Sequence, residues 1–263
     1  MYKILNFFFL TKTFDNLNSF LSRKIFKILK IFFVETKLHS LPDENHKLNT
    51  IDINQEIETF NKVKNDNYIP WTAQDNLHEL IKDLNLKENK LLDVGAGSLS
   101  LFAFLEKKLK KLEYLYFDQP LFSSINEKII LKFNLSNLKI LKNLDNLDND
   151  IELIYFGSSL QYFNNYKDIL FKIFNKSKFI LISLTPFFEN FDKNNLIVKQ
   201  INMHPTIYYH YIFDIEKFIN FMQENNYLLV KKNRNSKIKF INFKNFKKEY
   251  KHLFMYDLMF EKQ

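Results

Sequence analysis

The sequence contains no cysteine among its 263 residues. Disulfides and thiolate metal sites are therefore excluded, and a reducing cytoplasm is the expected compartment. No stretch has the roughly 20 uninterrupted apolar residues that a membrane-spanning helix needs. The apolar run Phe7–Leu10 is not followed by a small-residue cleavage site, so we do not expect a secretory signal.

Arginine is nearly absent: Arg23 and Arg234 are the only two, although the net charge is +8. Guanidinium groups commonly bind the phosphates and base edges of nucleic acids, so the scarcity of arginine argues against a nucleic-acid partner. The basic charge is carried by lysine, which is typical of a solvated surface but is also compatible with an anionic membrane.

Glycine is also scarce: the sequence contains only Gly95, Gly97 and Gly157. A chain that builds its other turns without glycine is expected to keep glycine where a Cβ atom would not fit. Such places need a positive φ or a close approach of the backbone to a ligand.

The central part of the chain alternates short apolar runs with helical patterns, and a long loop is predicted over 188–213. The predicted strands are 90–94, 113–117, 138–141, 151–156, 178–183 and 227–231. The predicted helices are 98–110, 120–132, 166–175 and 214–225, and a last apolar run covers 253–260. This alternation predicts an α/β fold with a doubly wound, mostly parallel, Rossmann-like sheet.

The N-terminal segment has a different composition, being aromatic and basic. Residues 21–34 have helical spacing, which predicts either a helix docked on the domain or a basic amphipathic helix on an anionic membrane, with contact through residues 1–35. Residues 38–54 are polar and predict a linker. We therefore expect a helical extension and linker over 1–54, and one domain over 55–263 that is cytoplasmic or peripheral to the inner membrane.

The first strand of the alternation runs into the turn Gly95–Ser98, where open α/β sheets bind ligands. Asp118, with Gln119 beside it, ends the next strand at the spacing expected of a ribose-binding carboxylate. A dinucleotide would place its pyrophosphate on this turn, but the third position of the glycine fingerprint is Ser100. Asp93 would repel a pyrophosphate and suits a cationic amino group, which favours S-adenosylmethionine over NAD. A glycine turn without a ligand is the remaining alternative.

The stretch Leu92–Gly97 resembles the first motif of class I S-adenosylmethionine-dependent methyltransferases. Three further stretches are similar to a family of bacterial methyltransferases that often accompany surface-polysaccharide genes: 156–162, 185–187 and 198–200. The resemblance covers roughly 71–260, and it differs from the family at Ala96, where adjacent glycines are common. It implies a seven-strand methyltransferase sheet.

The resemblance also implies roles for individual residues. Asp93, Gly95 and Gly97 would contact the methionine part of the cofactor, Asp118 its ribose, and Asn143 or Asp145 its adenine. The full set of expected cofactor-binding residues is Asp93, Gly95, Ala96, Gly97, Asp118, Gln119, Asn143, Asp145, Gly157 and Ser158. The expected acceptor-binding residues are Ser159, Gln161, Tyr162, Tyr208 and Tyr209.

Methyl transfer is an in-line displacement in which holding donor and acceptor together is worth about 7–11 kcal/mol. A hydroxyl acceptor also needs a base, for which the candidates are His204, His210 and Asp192. No spacing of His, Asp and Glu predicts a metal site. The sequence thus predicts a methyltransferase that acts on a sugar or surface-polysaccharide precursor. The alternatives are an NAD-dependent sugar oxidoreductase and a non-catalytic Rossmann-like protein that binds a membrane or partner.

Overall fold

A computed structural model of the chain describes residues 33–36, 38–42, 52–65, 81, 84, 86, 89–145, 147–189, 195–200, 208–234 and 253–263. Ten strands are described: β1 (Phe33–Glu35), β2 (Lys90–Val94), β3 (Glu113–Phe117), β4 (Leu138–Ile140), β5 (Ile151–Gly157), β6 (Ser177–Phe188), β7 (Asn195–Gln200), β8 (Tyr208–Asp214), β9 (Tyr227–Arg234) and β10 (Leu253–Lys262). The helices are α1 (Ile53–Lys64), α2 (Ser100–Glu106), α3 (Pro120–Phe133), α4 (Tyr166–Ile173) and α5 (Ile215–Glu224), with a 3₁₀ turn at Leu160–Tyr162.

The main sheet has the strand order β4-β3-β2-β5-β6-β10-β9. The pairs from β4 to β6 are parallel, whereas β10 is antiparallel to both of its neighbours. Strand order reverses between β2 and β5, so the carboxyl ends of these two strands form the crevice in which open α/β sheets bind ligands. The predicted doubly wound, seven-strand sheet is confirmed.

Two apolar layers cover the two faces of this sheet, which is why its central strands lack the polar alternation of a half-exposed strand. One layer contains Leu92, Ile154 and Ile182 with the residues of α4 and α5. The other contains Leu91, Tyr114 and Leu181 with the residues of α1, α2 and α3. All five residues of β2 are buried. Asp52 and Asp214 cap the first turns of α1 and α5 by accepting backbone N–H bonds.

The predicted long loop over 188–213 is wrong, because two of its stretches are the antiparallel strands β7 and β8. Both are rich in β-branched and aromatic residues, which favour strands. Strand β8 pairs with Phe187 and Phe188 of β6 in parallel, beyond Ser183, where the pairing of β6 with β5 ends. The β7–β8 hairpin therefore lies beyond the carboxyl end of β5.

Parts of the N-terminal predictions also need correction. Phe33 and Val34, at the end of the predicted helix 21–34, belong to β1, which pairs with β7. Leu41, in the predicted linker, is buried in the core layer of α4 and α5, and α1 begins at Ile53, one residue before that linker was expected to end. The remainder of the predicted helix lies outside the described residues, and the domain boundary after residue 54 stays a prediction.

Candidate functional site

The turn after β2 uses its two glycines for different reasons. Both have left-handed backbones, with φ of +74° at Gly95 and +67° at Gly97. A Cβ atom on Gly95 would lie 2.6 Å from the Cβ atom of Ser159, so this position has no room for a side chain. Among the described residues, a Cβ atom on Gly97 would have only Phe122 within 4 Å, at 3.9 Å. The described part of the chain therefore leaves the space over Gly97 open.

The peptide groups of Gly97 are held on both sides by β3 and α3. Its N–H donates to Asp118 Oδ2 at 2.6 Å, and its carbonyl accepts from Tyr116 at 2.7 Å and from Asn126 at 2.9 Å. The other carboxylate oxygen of Asp118 accepts the Gln119 N–H at 2.6 Å. Burial raises the pKa of Asp118 despite these bonds. Each carboxylate oxygen has further lone pairs, so Asp118 can hold the turn and still accept bonds from a ligand.

Asp93 lies under this turn and is only 1 % exposed. It sits in register between Tyr116 of β3 and Tyr155 of β5, and one of its oxygens accepts a bond from the Tyr114 hydroxyl. Its Oδ1 atom has no hydrogen-bond partner among the described residues. Burial raises the pKa of Asp93 to about 7, against the opposing effect of the Tyr114 bond. A cation placed on the turn would favour its charged form.

The turn after β5 packs directly on the glycine turn. Ser159 donates to the Val94 carbonyl at 2.5 Å. Ser158 has a left-handed backbone, with φ of +59°, and its N–H donates to the Ser183 carbonyl at 2.9 Å. A Cβ atom on Gly157 would lie 2.6 Å from the Tyr155 ring. Glycine is needed here because the Tyr155 side chain leaves no room, and not because of a left-handed backbone.

The 3₁₀ turn meets the β7–β8 hairpin in an aromatic cluster. The Tyr162 ring lies edge-on to Tyr208 at 5.8 Å and to His210 at 5.5 Å, and its hydroxyl donates to Gln200 at 3.0 Å. Residues predicted to bind the acceptor and to act as a base are thus close together. Tyr209 points to the opposite face of β8 and packs on the core layer of α4 and α5.

His210 is buried, and burial lowers its pKa to about 4. Its Nδ1 atom lies 3.0 Å from the Tyr211 carbonyl, which can only accept, so Nδ1 carries the proton and Nε2 is the basic atom. A pKa this low makes His210 a weak base at neutral pH. The other two candidate bases, His204 and Asp192, lie outside the described residues.

The remaining predicted site residues have local roles in the structure. Gln119 precedes the first turn of α3, and Ala96 is half-buried within the glycine turn. Asn143 and Asp145 are exposed after β4, where Asp145 pairs with Lys172 of α4 at 2.7 Å. Their expected contact with adenine stays a prediction.

Several residues of this region were missed by the sequence analysis. The tyrosines of β3 alternate with Leu115, so their common face could be read from the sequence, but their contact with Asp93 depends on strand register. No local signal indicates Asp257, which lies beside Ser183 although 74 residues separate the two.

The described ranges contain neither a metal-binding cluster nor a membrane-spanning helix. No group of three His, Asp or Glu residues there could hold a metal ion. No helix in those ranges has the length and hydropathy needed to cross a membrane.

Comparison with known proteins supports the fold. An S-adenosylmethionine-dependent methyltransferase from Clostridium acetobutylicum matches with a TM-score of 0.51 and 13 % identity, over 79 % of this chain and 98 % of that one. The N-terminal domain of EvdMO1, solved with S-adenosylhomocysteine and D-fucose, matches with a TM-score of 0.51 and 9 % identity, over 83 % and 100 % of the two chains. This chain therefore has the class I methyltransferase fold.

The fold does not by itself define the reaction. The [4+2]-cyclase SpnF also matches, with a TM-score of 0.52 and 11 % identity, over 72 % of this chain and 81 % of that one. No protein-family model and no curated protein matches the sequence. Function has to be argued from the residues of the site.

Proposed function

We propose that this protein binds S-adenosylmethionine and methylates a hydroxyl group of a sugar or surface-polysaccharide precursor. The observation that carries the proposal is the space over Gly97 that the described residues leave open, next to the carboxylate of Asp118, at the point where strand order reverses. When bound, the cofactor supplies an electrophilic methyl group on a sulfonium.

The residues present fit such a ligand. Asp118 and the backbone of Gly95–Ser98 offer polar groups for an adenosyl moiety and an amino-acid carboxylate. Within the described part of the chain, Asp93 has a buried oxygen without a hydrogen-bond partner, and no cation acts on its pKa, so a cationic ligand complements it electrostatically. A pyrophosphate would add two negative charges above this carboxylate, which disfavours NAD.

The acceptor would lie between the 3₁₀ turn and the β7–β8 hairpin. Tyr162 and Tyr208 pack edge-on against each other there and are both half-buried, and tyrosine side chains combine the apolar and polar surface that suits a sugar. Three residues are candidates for the base that takes the hydroxyl proton: His204, Asp192 and His210. The low pKa of His210 makes it a poor base, so His204 is the better of the two histidines.

Calorimetry with S-adenosylhomocysteine tests the cofactor proposal. Gly97→Ala adds a Cβ atom that protein atoms leave room for, so its main expected effect is on a ligand that lies over the turn. We expect affinity to fall by at least about tenfold, while stability falls by only about 1–2 kcal/mol for a left-handed alanine.

Asn175→Ala is the matched control, because Asn175 is also left-handed, with φ of +66°, and precedes β6 at its amino end. It should lose no more stability than Gly97→Ala, because Asn175 already carries a Cβ atom, and should keep full affinity. If wild-type protein binds NAD but not S-adenosylmethionine at millimolar concentration, the protein is not a methyltransferase.

A further inference from the structure

The turn after β5 has an unusual conformation that its own sequence does not favour. Ser158 is left-handed, with φ of +59°, although it has a side chain. A left-handed residue of this kind costs about 1–2 kcal/mol, so neighbouring groups must hold it. The holding group is Gln161, whose amide donates to the Ser158 carbonyl at 3.0 Å and to its hydroxyl at 3.1 Å.

Gln161 is 2 % exposed and is contacted in turn by β6. The hydroxyl of Thr185 lies 3.4 Å from the Gln161 carbonyl oxygen and 3.1 Å from the carbonyl of Ser183. Thr185 is fully buried. The amide nitrogen of Gln161 is thus bonded within the protein and its oxygen lies beside the Thr185 hydroxyl, which favours a positioning role over the predicted contact with the acceptor.

Asp257 holds the next part of β6. A single oxygen, Oδ1, accepts the Ser183 hydroxyl at 2.5 Å and the Leu184 N–H at 2.9 Å. Leu184 is itself left-handed, with φ of +51°. The register of β10 against β6 shifts between Tyr256 and Leu258, and Asp257 is the residue at this irregularity. Such bulges re-aim a side chain, here into the interior.

Among the described residues, Asp257 forms no ion pair. Burying an unpaired carboxylate is costly, so a position that needs only packing would favour an apolar residue. Asp257 is 5 % exposed, and its bonds go to the residues where β6 leaves β5 and turns towards β8. Two left-handed residues, Leu184 and Ser158, are therefore fixed by buried side chains at the end of the sheet where the cofactor turn lies.

We propose that Asp257 and Gln161 are positioning residues that act together. Asp257 fixes the positions of Ser183 and Leu184. Thr185, the next residue of β6, contacts Gln161. Gln161 in turn holds Ser158, which keeps Ser159 packed on the glycine turn. An effect of these two residues on methyl transfer rests on the proposed function. The structural coupling between β10 and the turn after β5 does not depend on it.

Hydrogen exchange of the full chain tests the coupling without any ligand. Asp257→Ala removes the acceptor of both bonds, and we expect exchange in residues 157–163 to rise by about tenfold or more, the effect of losing bonds to a charged group. Asp257→Asn keeps an oxygen at Oδ1 and should restore wild-type exchange in this segment to within about threefold. Ser177→Ala, a buried hydroxyl at the other end of β6, is the matched control and should leave residues 157–163 unchanged.

Binding of S-adenosylhomocysteine is the second measurement. We expect Asp257→Ala to weaken it by about tenfold and Asp257→Asn to leave it within about threefold. If wild-type protein does not bind S-adenosylhomocysteine, the proposed function fails, whereas the exchange comparison still decides the coupling.

The coupling is refuted if Asp257→Ala leaves exchange at 157–163 unchanged, or if exchange rises equally in α1 and the other helices, which would indicate general destabilisation only. It is also refuted if Asp257→Asn behaves like Asp257→Ala. If Asp257→Ala does not fold, Thr185→Val is the substitute: at nearly constant volume it removes the hydroxyl that contacts both the Ser183 carbonyl and the Gln161 oxygen. That variant should raise exchange at 157–163 but not in β10, and unchanged exchange at 157–163 would refute the coupling.

Discussion

The buried carboxyl of Asp93 predicts how the stability of this protein depends on pH. Burial raises its pKa from 3.8 to about 7 in the folded protein. Between these two values the folded form keeps a proton that the unfolded form has lost. Stability is therefore greatest below pH 4, falls as pH rises towards 7, and is constant above that as far as this group is concerned.

The size of the effect follows from the shift. At pH 8 the full shift of about 3 pKa units costs about 4 kcal/mol, at roughly 1.4 kcal/mol per unit. At pH 5 the cost is only about 1.6 kcal/mol, because pH is about one unit above the ordinary pKa. Asp93→Asn cannot lose a proton. Relative to this variant, the wild type should lose about 2.5 kcal/mol of stability between pH 5 and pH 8, whatever pH-independent cost the substitution has.

Urea unfolding of both proteins at several pH values measures this difference. Asp168→Asn, at an exposed carboxyl in the first turn of α4, is the control and should show no comparable change. Stability curves of wild type and Asp93→Asn that run parallel within about 0.5 kcal/mol from pH 5 to pH 8 would refute a protonated Asp93 in the folded protein.

Two further substitutions test the packing around the sheet. Gly157→Ala places a Cβ atom 2.6 Å from the fully buried Tyr155 ring, so we expect a loss of about 1–3 kcal/mol in urea unfolding; an unchanged midpoint would contradict the crowding. Tyr227→Phe removes a buried hydroxyl that donates to the Ser177 carbonyl at 2.9 Å and accepts the Asn175 N–H at 3.2 Å. This should lower stability by about 1–3 kcal/mol and shift the thermal midpoint down by several degrees, whereas a shift below 1 °C would show that water replaces both bonds.

Much of the fold could be predicted from the sequence. The bounds of β2 and β3 agree with their predictions residue for residue, and α3 and α5 agree to within one residue at each end. These elements are marked by local signals: continuous apolar runs, helical periodicity, and capping residues such as Asp214. The glycine turn was found the same way, because glycine is so rare here that each one indicates a constraint.

The β7–β8 hairpin could not be predicted in this way. Its strands contain strand-favouring residues, but the sequence predicts no helix between them and polar residues lie at their ends, and they become strands by pairing with each other and with the far end of β6. β-propensity depends on such neighbours more than helix propensity does. The grouping of Tyr162 with Tyr208 and His210 follows from this pairing.

The sequence by itself therefore determined the βα alternation, the position of the glycine turn and the two aspartates beside it, because each is specified within about 20 residues of chain. Only the tertiary structure decided which of the three glycines leaves space for a ligand, and only it placed Asp93 among tyrosines and Asp257 beside Ser183. Those facts depend on strand register and on contacts between residues as many as 74 positions apart, which no local pattern specifies.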